Sequence, residues 1–197
     1  MVSLTQNEAR TMEFLIRNFF QTFNINQLSR QLRISPAGIF KILKKLEKQN
    51  FLTEQKLGNN IFYKINYESY EALDACKFAL TEKKTTPYLN VWIKDLEELK
   101  QKTELAILFG SVLDKGRQAR DIDILLVFSK KDLKEVENLI DKLDKIKPKK
   151  IHAVYQTKED LIKNIKKQDK TILEEIRTGI ILWGREVLVE AIKDGQS

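Results

Sequence analysis

Two apolar runs in the second half of the chain, with what stands at their ends, restrict the fold more than any other feature. Leu105-Ala106-Ile107-Leu108-Phe109 is continuously apolar and stops at Gly110-Ser111. A run of that length without polar alternation reads as a strand covered on both faces. The second run, Asp121-Ile122-Asp123-Ile124-Leu125-Leu126-Val127, opens with two aspartates separated by one residue. Alternate side chains of a strand share a face, so Asp121 and Asp123 are expected to project together, roughly 7 Å apart along the backbone. The chain therefore ends one buried strand in a flexible bend and begins another with paired acids.

That pairing has a chemistry. Two carboxylates so placed can hold a hard divalent cation such as Mg2+, which binds oxygen ligands and shares them with substrate phosphates. A glycine lets the backbone approach a phosphate, and the Ser111 hydroxyl and nearby amides can donate to it. A phosphate cradle beside metal-holding carboxylates is the equipment of nucleotidyl transfer.

The pattern resembles the DNA polymerase β nucleotidyltransferase superfamily, in particular its minimal members, over about residues 88–193. Their mark is a Gly-Ser, a loop and an Asp-x-Asp on the next strand, and the closing Ile181-Leu182-Trp183-Gly184-Arg185-Glu186 is similar to the end of such domains. The resemblance implies that Asp121 and Asp123 hold Mg2+ and serve catalysis. It implies that Gly110 and Ser111 hold an NTP, with Arg120, or Arg117, able to reach phosphate. This chain departs from the pattern in several places. The loop between Ser111 and Asp121 is one residue short of the family's usual spacing, Gly116 is displaced by one position, and Arg120 stands where a serine is usual. The gravest departure concerns the third carboxylate that active members carry on a later strand. The corresponding run, residues 149–156, contains no acid. His152 could serve there as a base, or it is a strand-face histidine of structural use; both readings stay open. Glu159 and Asp160, just beyond, are expected as acids at a helix start.

Around these runs the second half alternates. Strands are expected over residues 105–109, 121–128, 150–156 and 179–183, with helices over 131–146, 158–167, 171–177 and 186–192. This is an α/β layer pattern.

The first half reads differently. Met12, Leu15, Ile16 and Phe19 form an apolar stripe at helical spacing within residues 6–20, and Leu28 and Leu32 give a short helix over 26–33. Ile34-Ser35-Pro36 breaks the chain and starts a third helix over 36–49, since serine caps free amides and proline suits the first helical position. Ile39, Ile42, Leu43 and Leu46 are its expected inward side. Strand-like runs at 51–56 and 61–66 follow, joined through Gly58 and Asn59, residues that tolerate positive φ. A further helix is expected over 67–80, a polar linker over 81–87 and a connecting helix over 88–102.

Three helices and a two-stranded wing resemble the winged helix-turn-helix transcription regulators of bacteria and archaea, over about residues 4–66. Between residues 30 and 56, Arg30, Arg33, Lys41, Lys44, Lys45, Lys48 and Lys56 stand against only Glu47 and Glu54. In such proteins the start of the third helix meets base edges in the major groove while cations hold phosphates. The residues implied for duplex DNA are Ser35, Ala37, Gly38, Lys41, Lys44, Lys45 and Lys48, with Lys56 and Asn59 on the wing.

The expected architecture is thus a mixed α+β and α/β chain of two domains. Residues 1–80 form a winged helix-turn-helix, 81–102 a linker and connecting helix, and 103–197 a nucleotidyltransferase-fold domain with a small mixed sheet flanked by helices. A formal charge of +7 is compatible with a nucleic-acid partner. No apolar run approaches the ~20 residues of a bilayer span, and residues 1–10 have no apolar leader core, so a cytoplasmic protein is expected. The lone Cys76 excludes an internal disulfide. Three readings stay open: a DNA-binding, transcription-regulatory protein whose second domain binds NTP and Mg2+; an active nucleotidyltransferase acting on a protein or small molecule, for which the resemblance permits an antitoxin role; and an interaction scaffold built of both domains. The partners expected are double-stranded DNA and NTP, with a homodimer formed through the amphipathic helices of 67–80 or 88–102, or a small helical partner protein that the resemblance permits.

Overall fold

The structure, a computed structural model, describes residues 3–81 and 85–196. It divides into two compact units, residues 1–82 and 83–197. Residues 82–84 of the expected linker lie outside the described residues.

In the first unit, Thr5 and Glu8 form a reciprocal capping box that starts α1, Gln6–Arg17. β1, Phe23–Asn24, follows after a short turn, a two-residue strand that the apolar pattern does not announce. Asn24 and Gln27 cap α2, Ile25–Leu32, which ends with Arg33 in the left-handed conformation at φ 56°. Ser35 accepts from the Gly38 amide and Pro36 occupies the first turn of α3, Pro36–Lys48, which is the start the Ser-Pro pair predicts. β2, Leu52–Leu57, and β3, Asn60–Ile65, form an antiparallel hairpin closed by Gly58-Asn59. β1 joins the far side of β3, giving the order β1-β3-β2. This is a winged helix: three helices and a small sheet whose hairpin is the wing. Met12, Ile16, Leu28, Ile39, Leu43, Leu46 and Tyr63 fill its core, while Ile42 is only half-buried. α4, Tyr70–Ala79, turns Ala72, Ala75, Cys76 and Ala79 inward and packs on α1. The same helix leaves Tyr70 and Phe78 exposed.

In the second unit, Thr86 caps α5, Pro87–Leu96, which tightens into a 3-10 turn over Glu97–Gln101. From sequence this helix reads either as a lead-in to the second domain or as a connector; Leu89, Trp92, Leu96 and Leu99 are buried in the second unit's core. β4, Leu105–Phe109, leads into a short helix, α6, Val112–Lys115, and then β5, Ile122–Val127. α7, Leu133–Ile146, crosses over to β6, Ile151–Gln156. α8, Lys158–Lys166, and α9, Lys170–Thr178, precede β7, Ile180–Trp183, and α10, Arg185–Gln196. The sheet order is β6-β5-β4-β7, with β5 and β6 parallel and the other pairs antiparallel.

The central strands β4 and β5 are largely buried on both sides, as their apolar runs require, while the edge strand β6 is partly exposed. Ala106 and Leu108 of β4 and Ile122, Ile124 and Leu126 of β5 meet α5 and α7 on one face. The alternate residues, Ile107, Asp123, Leu125 and Val127, belong to the other face, toward α8, α9 and α10. At the end of β7, Gly184 adopts φ 79°, and a side chain there would run into the Glu104 carbonyl. Only glycine lets the chain turn so close to the start of β4.

Candidate functional site

β4 and β5 pair so that Phe109 lies opposite Asp123. Gly110, just past the strand, takes φ 76°. A Cβ on Gly110 would collide with the Asp123 carboxylate. The glycine is thus required twice, by its backbone angle and by the acid packed against it. Ser111 follows, half-buried, with its hydroxyl making no capping bond to α6.

Asp121 stands one residue before β5 and Asp123 within it, both half-buried. On the parallel neighbour β6, His152 is in register with Asp123. Its Nδ1 lies 3.3 Å from Asp121 Oδ2 and 3.8 Å from Asp123 Oδ1. One ligand atom from each of the three residues falls within 4.8 Å of the others. Burial raises the Asp123 carboxyl above the ordinary aspartate value, the neighbouring Asp121 charge adds to the rise, and His152 offsets part of it. Such a site gains from a cation, because a positive ion between the acids removes the repulsion that burial amplifies. The donor set fits a divalent metal: two carboxylate oxygens and an imidazole nitrogen converge on one point.

The loop expected between Ser111 and Asp121 is a helical turn, α6, followed by a 3-10 turn over Gly116–Gln118. Lys149 fastens it by donating to the Arg117 carbonyl at 2.8 Å and to the Ala119 carbonyl. The Arg117 guanidinium sits 5.8 Å above the Tyr88 ring. Arg120 is exposed next to Asp121. Asp160 accepts from Thr157 in a capping box at the start of α8, the structural role its position suggests.

A buried acid in the second unit escaped sequence reasoning. Glu175 on α9 is 4% exposed, and neither carboxylate oxygen has a hydrogen-bond partner. Burial pushes its carboxyl up to about 7, with Asp169 and Asp123 adding repulsion. α9 packs against β4 on the face that carries Asp123, so Glu175 is an electrostatic neighbour of the site. Its sequence setting, Leu173-Glu174-Glu175-Ile176, looks like any amphipathic helix; spacing alone, which puts Glu175 on the side of Ile172 and Ile176, was the available signal.

On the winged helix, α3 exposes Ser35, Ala37, Phe40, Lys41, Lys45 and Lys48, with Gly38 half-buried. The lysines divide into two groups. Lys44 binds Glu47 at 2.9 Å and also Glu54 of β2, and these carboxylates hold its ammonium well above the ordinary lysine value. Lys45 reaches Glu8 of α1 at 2.8 Å. Burial pushes the Glu8 carboxyl up, but Lys45 and the Thr5 amide outweigh it and hold it below the usual range. Lys44 and Lys45, expected on phosphates, are thus engaged within the unit. Among the described residues, Lys41, Lys48 and Lys56 have no ion-pair partner. Asn59 shares the tight turn at the wing tip with Gly58.

A mixed four-stranded sheet with a Gly-Ser bend against an Asp-x-Asp strand defines the second unit as a nucleotidyltransferase-fold domain. Residues 92–186 match the family described as Polymerase beta, Nucleotidyltransferase, and the chain carries a domain of that family. The match begins within α5, in keeping with that helix's place in the core. No curated protein matches the chain. Among solved structures, a point mutant of Lactococcus lactis ZitR aligns over 73% of this chain and 75% of its own, at 16% identity and a TM-score of 0.36. Overlap that loose carries no weight here; the winged-helix assignment rests on the order of helices and strands.

Among the described residues, no helix is long and apolar enough to cross a membrane.

Proposed function

We propose that this protein binds duplex DNA through its winged helix and binds an NTP with a divalent cation in its second domain, as a regulator responsive to nucleotide. The observation that carries the reading is the convergence of Asp121, Asp123 and His152 beside Gly110. A bound divalent ion such as Mg2+ would neutralise the phosphates and polarise them. Asp121 and Asp123 would hold that ion. Gly110 and the Ser111 hydroxyl would receive the triphosphate, and Arg120 would offer it positive charge. On the DNA side, Ser35, Ala37, Gly38 and Lys41 would meet base edges while Lys48 and Lys56 hold phosphates and Asn59 approaches from the wing. Lys44 and Lys45 would act only by giving up their carboxylate partners, so they are secondary contacts.

A second reading, nucleotidyl transfer, has one specific support. His152 stands in the metal cluster where the acid is missing, and an imidazole can accept a proton. In that reaction an acceptor hydroxyl oxygen would bond to the α-phosphorus, the bond to the β-phosphate oxygen would break, pyrophosphate would leave, and the hydroxyl proton would pass to the imidazole.

The test is incubation of the protein with α-32P-labelled ATP, Mg2+ and candidate acceptors, beside an Asp121→Asn/Asp123→Asn double variant. Retention of nucleotide without label transfer, abolished in the variant, is the result expected for the binding reading. Transfer abolished in the variant supports the enzyme. Absence of any nucleotide binding refutes both.

A further inference from the structure

We infer that the cation site in the second domain is a mixed oxygen-nitrogen site that selects a first-row transition dication, of which Mn2+ is the probe, over Mg2+, with His152 Nδ1 as its third protein ligand. This deepens the proposed NTP- and cation-binding reading and rests on it. The argument begins with placement. β6 runs parallel to β5 with His152 in register with Asp123, so the imidazole faces the two acids by virtue of the strand pairing itself. Nδ1 is the nitrogen nearest both carboxylates, at 3.3 and 3.8 Å. One ligand atom from each residue lies within 4.8 Å of the other two, and a single ion with bond lengths of roughly 2.0–2.3 Å fits among atoms so spaced.

The chemistry of the donors then decides the metal. Mg2+ demands oxygen in near-octahedral array and rarely accepts nitrogen. Imidazole suits the first-row transition ions, and carboxylate with water suits Mn2+ as well. Replacing an acid by histidine also removes one negative charge from the site, which costs the hard, strongly hydrated Mg2+ more than a softer ion. The positions of Asp121 and Asp123 fix the site, and His152 sets which ion it prefers. An imidazole committed to an ion through Nδ1 is not available there to take an acceptor's proton, which sets this inference beside the binding reading rather than the transfer reading.

The experiment uses the full-length protein and measures binding rather than activity. Mg2+ and Mn2+ are titrated calorimetrically into wild type, His152→Ala and His152→Asp, and pulsed electron paramagnetic resonance is recorded on the bound Mn2+. The expected results are 14N modulation from a directly bound imidazole in wild type, absent from both variants, and an Mn2+-over-Mg2+ preference that drops by about tenfold or more in His152→Asp, which restores an all-oxygen set. Circular dichroism checks that the variants fold, while the nitrogen signal in wild type stands without them. Mn2+ bound with no nitrogen modulation, or a preference unchanged in His152→Asp, overturns the inference and leaves the cation site intact. Failure of both ions to bind wild type, with and without ATP, overturns the inference and the NTP- and cation-binding reading together.

Discussion

Glu175→Gln offers the sharpest check on the electrostatics around the site. The carboxyl is 4% exposed, makes no hydrogen bond, and is pushed up to about 7 by burial and by Asp169 and Asp123. Its ordinary value is 4.5. A raised acid binds its proton more tightly folded than unfolded, so it costs nothing below the unfolded value. The penalty accrues as pH climbs from 4.5 toward about 7 and is complete above that. The full displacement corresponds to about 3 kcal/mol at 1.36 kcal/mol for each pH unit. Glutamine keeps the shape and cannot ionise, so its unpaired amide costs the same at every pH. Urea unfolding of both proteins at about pH 5 and about pH 8 isolates the difference, because all other titrating groups cancel between wild type and variant. Glu175→Gln is expected to gain on wild type by about 2–3 kcal/mol between those conditions. An equal gap at both would show that Glu175 is hydrated or paired, and the reasoning from burial would fail.

Other perturbations follow from the same geometry. Gly110→Ala forces a side chain into φ 76° and against the Asp123 carboxylate; a loss of about 1–3 kcal/mol in chemical denaturation is expected, with weakened Mn2+ binding by calorimetry. Lys45→Ala leaves Glu8, 5% exposed, without its ammonium partner, and should destabilise the winged helix by about 1–2 kcal/mol in urea unfolding. Lys41→Ala with Lys48→Ala should leave stability within about 0.5 kcal/mol. The same pair should lower duplex affinity and flatten the plot of log K against log salt by about 2, read by fluorescence anisotropy. A salt slope equal to wild type would place the DNA surface elsewhere.

How far the sequence reached can be traced through particular residues. The Ser-Pro start of α3, the glycine turn of the wing and the paired aspartates of β5 were legible because each is set by neighbours in the chain. Backbone angles and side-chain periodicity are local properties. The brief strand β1 was not legible, since two residues carry no period and exist as a strand only because Tyr63 and Phe62 of β3 pair with them. α5 read equally as a lead-in to the second domain or a connector, because an apolar stripe says that a helix is buried without saying against what.

Charge partners divide along the same line. Lys44 and Lys45 read from sequence as two more cations on a basic helix. Folding brings Glu54 to the one and Glu8 to the other, across 10 and 37 residues of chain. His152 was visible as a titratable group on the right strand, yet its role depends on β6 lying parallel to β5 in one register. A shift of one residue would turn its ring to the opposite face. Glu175 became an acid held near neutrality only when α9 closed over the sheet. Sequence alone determined the longer elements and placed two carboxylates on one side of a strand. The tertiary structure decided which groups would share a low-dielectric space, because Coulomb interaction and desolvation depend on distance and solvent rather than on order along the chain.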